Sequence, residues 1–236
     1  MKKLLLIIFL ISSIPVFSQR EQIKNLPNYN KKRVHFGFTI GLNTMDFDIQ
    51  KSAAFLNNNE IYAIENTRQL GFHIGPISSF KITDHLEFRA LITLSFGQRD
   101  LTYWRLKDTL SPADGLTPYV MKIASTFLEF PLLLKYKAIR INNYAPYIIG
   151  GINPKIDLAA RKKIKPEEMP KVRLENFDPS YELGFGIDFY LEYFRLSAEI
   201  KYSAGFFNVL IPDGTNYTSS VDKMSSRMIM FSLHFE

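Results

Sequence analysis

Apolar and polar residues alternate along most of this chain with a period of two. In residues 127–136, FLEFPLLLKY, Leu128, Phe130, Leu132, Leu134 and Tyr136 fall on one face. Phe127, Glu129, Pro131, Leu133 and Lys135 fall on the other. A soluble helix would be broken by Pro131, and a transmembrane helix would bury both charges. Period two reads instead as a strand with one oily side. The same pattern recurs in VHFGFTIGLN from Val34, in residues 70–82, in 86–99, in 181–191, in 194–205 and in 228–235. A further segment, YAPYIIGGINP from Tyr144, is apolar on both faces, and its parity stays open.

These eight segments are joined by connections of two kinds. Residues 83–86, 138–143 and 192–193 are short turns, whereas residues near 48–68, 101–121, 155–179 and 206–226 are long and polar. Even strand number with short turns on one rim and long loops on the other predicts an outer-membrane protein. The expected fold is all-β: an eight-stranded antiparallel transmembrane β-barrel with short periplasmic turns, long extracellular loops and a lumen filled by side chains. Both termini then lie on the periplasmic side.

Glycine orients the faces. Gly37, Gly41, Gly71, Gly75, Gly97, Gly184, Gly186 and Gly205 all share the polar parity. Glycine weakens a strand and is placed where something crowds in, as in a narrow interior. The oily face is therefore assigned to lipid. The interior receives Glu87, Glu129, Glu182, Asp188 and Glu199 together with Arg89, Arg99, Lys135, Lys137, Arg195 and Lys201. Such a balanced set points to a paired structural network plugging the lumen, because a buried charge without a partner is costly. Pro131 deletes a ladder hydrogen bond, so a local distortion is expected there.

The ends add location. Lys2 and Lys3 precede the apolar run Leu4–Ile14, and Val16 and Ser18 supply small residues before Gln19, the layout of a signal peptide over residues 1–18. Residues 19–33 form a basic periplasmic segment, and residues 34–236 the barrel. The chain has no cysteine. After cleavage no apolar run reaches the length of a membrane-spanning helix. Of the formal net charge of +6, two charges leave with the signal. The remaining basic residues are scattered apart from Lys31, Lys32 and Arg33 and the run Arg161–Lys163. Each cluster is a solvated turn or a contact to acidic headgroups; Lys31, Lys32 and Arg33 are the candidate partner contact. No helix presents a basic face, so nucleic-acid binding has no support.

Chemistry is sparse. His35, His73, His85 and His234 lack metal-ligand spacing, no GxSxG motif is present, and the Gly–x–Gly pairs sit within strands. No catalytic, cofactor-binding or metal-binding residue is assigned, and the chain reads as non-enzymatic. Trp104 and several tyrosines fall near strand ends, as in an interfacial aromatic belt. Asp108-Thr109-Leu110 fits a short O-glycosylation pattern.

LEFPLLLKY, YIIGG, ELGFGID, KYSAGFFN and the lead-in NLPNYNKKRVHFGFTIGLN resemble the PorT/SprT family of outer-membrane β-barrels of Bacteroidetes bacteria. The resemblance implies a component of the type IX secretion system, needed for protein export and, where present, gliding motility. An eight-stranded lumen filled with side chains is too narrow to conduct folded substrates, so the expected role is accessory or in assembly, with partners among the other secretion components besides outer-membrane lipid and lipopolysaccharide. Two alternatives stay open: a stand-alone adhesion or envelope-stabilising barrel, and a lipid-modifying outer-membrane enzyme.

Overall fold

The structure is a computed structural model that describes residues 23–56, 61–106, 115–160, 172–212 and 216–236. Residues 1–18, read above as a signal peptide, Thr109 and Arg161–Lys163 lie outside those residues. The described chain is all-β. Its strands are β1 (Val34–Lys51), β2 (Ile61–Lys81), β3 (Leu86–Leu91), β4 (Thr93–Leu106), β5 (Leu116–Glu129), β6 (Leu132–Lys137) and β7 (Tyr144–Asn153). They continue with β8 (Lys155–Asp157), β9 (Arg173–Leu174), β10 (Ser180–Tyr190), β11 (Arg195–Gly205), β12 (Leu210–Ile211) and β13 (Val221–Phe235).

The expected eight-stranded barrel is corrected by this topology. Thirteen strands are present among the described residues, eleven of them in one sheet of order β1-β13-β11-β10-β7-β6-β3-β2-β4-β5-β8. β9 and β12 form a separate two-stranded sheet. β1 also pairs with β2, so it has a hydrogen-bonded neighbour on each side. Beyond β2 the sheet runs on through β4 and β5 to an edge at β8, and it is not a uniform eight-membered cylinder.

Three of the extra strands come from interruptions. Two segments that read as single strands are broken, at Ile92 and at Phe130–Pro131, and β8 adds a strand beyond Pro154, where the alternating segment was read to end. Pro131 and Pro154 have no N–H to give to a ladder. The interruptions fall beside one another: Ile92 N–H donates to the Pro76 carbonyl at 3.2 Å, Leu91 N–H to Pro131 at 3.1 Å and Phe130 N–H to Pro154 at 2.9 Å. A line of prolines thus crosses adjacent strands at one level, and the pairing changes partner there: β3 joins β6 while β4 joins β5.

A second departure concerns the long connections. β1 reaches Lys51, β2 starts at Ile61, β4 runs to Leu106 and β5 starts at Leu116, all inside stretches that read as polar loops. The reason is an inversion of polarity at constant parity. On β1 the outward residues Phe36, Phe38, Ile40 and Leu42 are exposed and apolar, but the same face continues as Thr44, Asp46 and Asp48. The inward face changes the opposite way, from Thr39 and Asn43 to Met45 and Phe47, all buried. β13 repeats it, with Ile229 and Phe231 outward and then Arg227. Outward ion pairs hold the inverted zone, Asp46–Arg68 at 2.9 Å and Asp48–Arg227 at 2.6 Å.

The interior therefore has two floors. Beside the long connections lies the apolar cluster of Phe47, Ile61, Ile64, Leu101, Tyr103, Met121 and Met224. Val172 and Leu174, with Val209 and Leu210, reach into it from the segments carrying β9 and β12. Towards the short turns the interior is polar and charged. The parity of β7 resolves here: Ala145, Tyr147, Ile149 and Asn153 are buried, while Ile148 and Ile152 are exposed. Space is tight, and glycine is required at two close approaches. A Cβ on Gly186 would lie 2.5 Å from both the Ala198 carbonyl oxygen and the Tyr147 hydroxyl oxygen, and one on Gly75 would run into the Ile92 carbonyl oxygen and lie 2.8 Å from Thr93 Cα.

Candidate functional site: a buried ion-pair network and its strap

Each of the eleven charged residues named from the sequence as the interior network is buried. Alternation explains the placement, since every one takes the inward parity of its strand. Near the short-turn end, Glu87 of β3 accepts from Lys137 Nζ at 2.7 Å and from Arg195 Nη1 at 3.2 Å. Arg195 of β11 also reaches Asp188 at 3.5 Å and Glu236 at 2.5 Å. Lys135 Nζ donates to both carboxylate oxygens of Asp188, at 2.6 and 2.7 Å, and lies 3.8 Å from the centre of the Tyr147 ring. Arg89 spans to Glu199 at 3.1 Å and to Glu236 at 3.2 Å.

One level further in, Glu199 accepts from the Tyr147 hydroxyl at 2.8 Å and lies 3.3 Å from His234 Nε2. Lys201 pairs with Glu182 at 3.0 Å. Glu129 accepts from Asn153 Nδ2 at 2.6 Å, an amide that also serves Glu182 at 2.6 Å. A small cavity opens here between Thr39, His73, Glu129 and His234. Its volume, about 10 Å³, is room for about one water. Arg99 stands apart, 3.5 Å from Asp157 and 4.0 Å from the centre of the Phe47 ring, where the ionic floor meets the apolar one.

Sequence reasoning missed several members. Asp157, Lys155 and Asp178 were assigned to a long loop. Lys155 nevertheless pairs with Asp178 at 3.3 Å, and all three are buried. The parity of β8 continues that of β7 across Pro154, which is the signal that was available. Glu236, the last residue, continues the inward parity of Ser232 and His234, and that parity is the signal that was available. Although burial pushes its carboxyl up, Arg195 and Arg89 hold it well below the usual carboxylate range.

The segment before β1 is described from Ile23. It forms a strap over the short-turn end. Asn25 N–H donates to Asn143 Oδ1 at 2.9 Å, Asn25 Nδ2 donates to the Tyr190 carbonyl at 3.0 Å, and Arg140 Nη2 donates to the Asn25 carbonyl at 2.5 Å. Tyr29 lies in a 3-10 turn, Tyr29–Lys31, stacks on His35 at 3.9 Å and receives the Arg195 guanidinium over its ring at 4.8 Å. Burial raises the Tyr29 hydroxyl pKa well above its ordinary value. Lys31, Lys32 and Arg33 follow the strap and are exposed. Among the described residues, no group of three or more His, Cys, Asp or Glu side chains is placed to hold a metal ion.

Comparison with known proteins gives the context. No curated protein matches the chain. Among solved structures, Neisserial surface protein A is 11% identical with a TM-score of 0.43, over 86% of this chain and 99% of that one. OprG from Pseudomonas aeruginosa is 11% identical with a TM-score of 0.41, over 87% and 95%. The outer membrane protein AlkL in lipid bilayers is 11% identical with a TM-score of 0.37, over 91% and 96%. The secretion and gliding reading implied by the PorT/SprT resemblance is corrected to the coarser one of an outer-membrane β-barrel-domain protein, the level at which the family match stands. The model of the outer membrane protein beta-barrel domain matches residues 17–210, well over half of the sequence, and the chain belongs to that family.

Proposed function

We propose that this protein is a stand-alone, non-enzymatic outer-membrane protein that presents its long-connection end outside the cell as a rigid binding platform, an adhesion-type role. The observation that carries this reading is the apolar floor. There Leu101, Tyr103 and Met224 pack against Val172, Leu174, Val209 and Leu210, so segments that would otherwise be free loops are seated on the raised strand ends. Preordered loops lose less entropy on binding. The outward face of those strand ends is polar and ion-paired, as suits a zone beyond the hydrocarbon. Below it, the exposed belt of Phe36, Phe72, Ile74, Leu183, Phe185 and Phe231 suits acyl chains. The ionic floor argues against a conduit: charges of both signs pair across the interior from β3, β6, β10 and β11. In this reading the short turns and both termini face the periplasm.

The test has two arms. Cells lacking the protein should attach less to their natural surface, and exchange of residues 206–212 for a Gly–Ser linker in a correctly folded protein should reproduce that loss. Unchanged attachment in the exchange strain would reject the platform. In planar bilayers the purified protein should give no stepwise current, and steady channel conductance would overturn the plugged interior.

A further inference from the structure

We propose that the short-turn rim carries a binding site for the phosphate headgroup of an anionic phospholipid, formed where the strap enters β1. Lys31, Arg33 and Lys81, with Ile82, line an open cleft of about 290 Å³. The cleft straddles two elements. Lys31 and Arg33 come from the strap and its continuation, whereas Lys81 ends β2 and Ile82 follows it. The Lys81 N–H donates to the Arg33 carbonyl at 2.7 Å and fixes one wall against the other. Lys32 stands beside it, also exposed. Asp84 meets Lys81 Nζ at 2.5 Å, and Lys31 and Arg33 supply the exposed positive charge of the cluster.

What lies next to the cleft selects a lipid over a soluble anion. Val34, Phe36, Phe80 and Ile82 are exposed, with Phe36 at 72% and Ile82 at 57%, and they are the rim of the apolar belt. A molecule with its phosphate among Lys31, Arg33 and Lys81 has its acyl chains against these side chains. Charge and oil therefore match one amphiphile. The basic triplet is also held in place. Tyr29, two residues before Lys31, is clamped between His35 and Arg195, and Asn25 is tied to Asn143 and to the Tyr190 carbonyl. A cluster fixed in this way loses less freedom on binding than a floppy tail would.

The experiment uses the full mature chain, purified in a neutral detergent and titrated with phosphatidylglycerol or phosphatidylcholine, bound lipid being counted by native mass spectrometry. Phosphatidylglycerol should be retained over phosphatidylcholine. The exposed pair K31A/R33A should cut that retention by about tenfold, since each basic side chain near an anionic surface contributes substantially. The charge-keeping pair K31R/R33K should restore it, and K122A, on an exposed lysine of β5, should leave it unchanged. The heat-dependent gel shift of each variant confirms folding. Equal retention of the two lipids, or an equal loss with K122A, overturns the site. Displacement of the lipid by millimolar inorganic phosphate would show a free-anion site and overturn the lipid assignment.

Discussion

The two floors of the interior solve the same problem by different physics. Near the short turns, Arg195 is fully buried and touches Glu87, Asp188 and Glu236; near the long connections, Leu101 is equally buried and belongs to the apolar cluster. The ionic floor is directional. Each charge needs its partners in place, and removing one strands the rest. The apolar floor is non-directional and tolerates any filling of the right volume. The difference teaches why the chain can afford long, irregular connections at one end only: oily loop segments such as Val209–Leu210 dock without a matched partner, whereas charged ones would not.

The largest effect should come from Arg195→Met. It leaves three carboxylates short of a cation and should destabilise the fold by about 3–5 kcal/mol, read from urea unfolding in detergent. Leu101→Ala tests the other floor. A loss of about 2–4 kcal/mol is expected from the cavity, and, unlike that of Arg195→Met, it should not shrink in strong acid, which neutralises the carboxylates that Arg195 pairs with. Should both losses respond alike to acid, the contrast between the floors fails. Gly186→Ala forces a Cβ against the Tyr147 hydroxyl and should cost about 1–3 kcal/mol by the same assay.

Smaller effects belong to the strap. Tyr29→Ala removes the ring under Arg195 and should cost about 0.5–2 kcal/mol, while speeding hydrogen exchange at Asn25 far more than at Leu101. A pH titration sharpens the same point. The Glu236 carboxyl is held low in the folded state, so its contribution is complete above the unfolded carboxylate value. It is lost only as pH falls through the depressed folded value. The wild-type gel shift should thus survive mild acid, and Glu236→Gln should flatten whatever acid dependence remains.

Much of this was legible in the alternation. Phe38, Ile40 and Leu42 are exposed while Thr39 and Asn43 are buried, because successive side chains of a strand must point to opposite faces. The charged residues of the interior were legible for the same reason. Strand ends were not. Where Leu42 gives way to Thr44 and Asn43 to Met45, the oily parity changes sides, and a rule that follows one oily face reads a loop. Strand number was not legible either, since the breaks at Ile92, Pro131 and Pro154 depend on which strands lie side by side. The family resemblance rested on strand motifs that a broad class of outer-membrane sheets shares, and it carried the function too far.

By itself the sequence determined faces: which side chains meet lipid, which turn inward, and that the inward set holds both signs of charge. That follows from backbone geometry, which repeats every two residues and needs no partner. Only the tertiary structure decided pairings: that Arg195 meets Glu236 across 41 residues, that Lys155 belongs to the interior, and that Asn25 folds back on Asn143. Those contacts join positions far apart in the chain, and their energies depend on distances that no local pattern records.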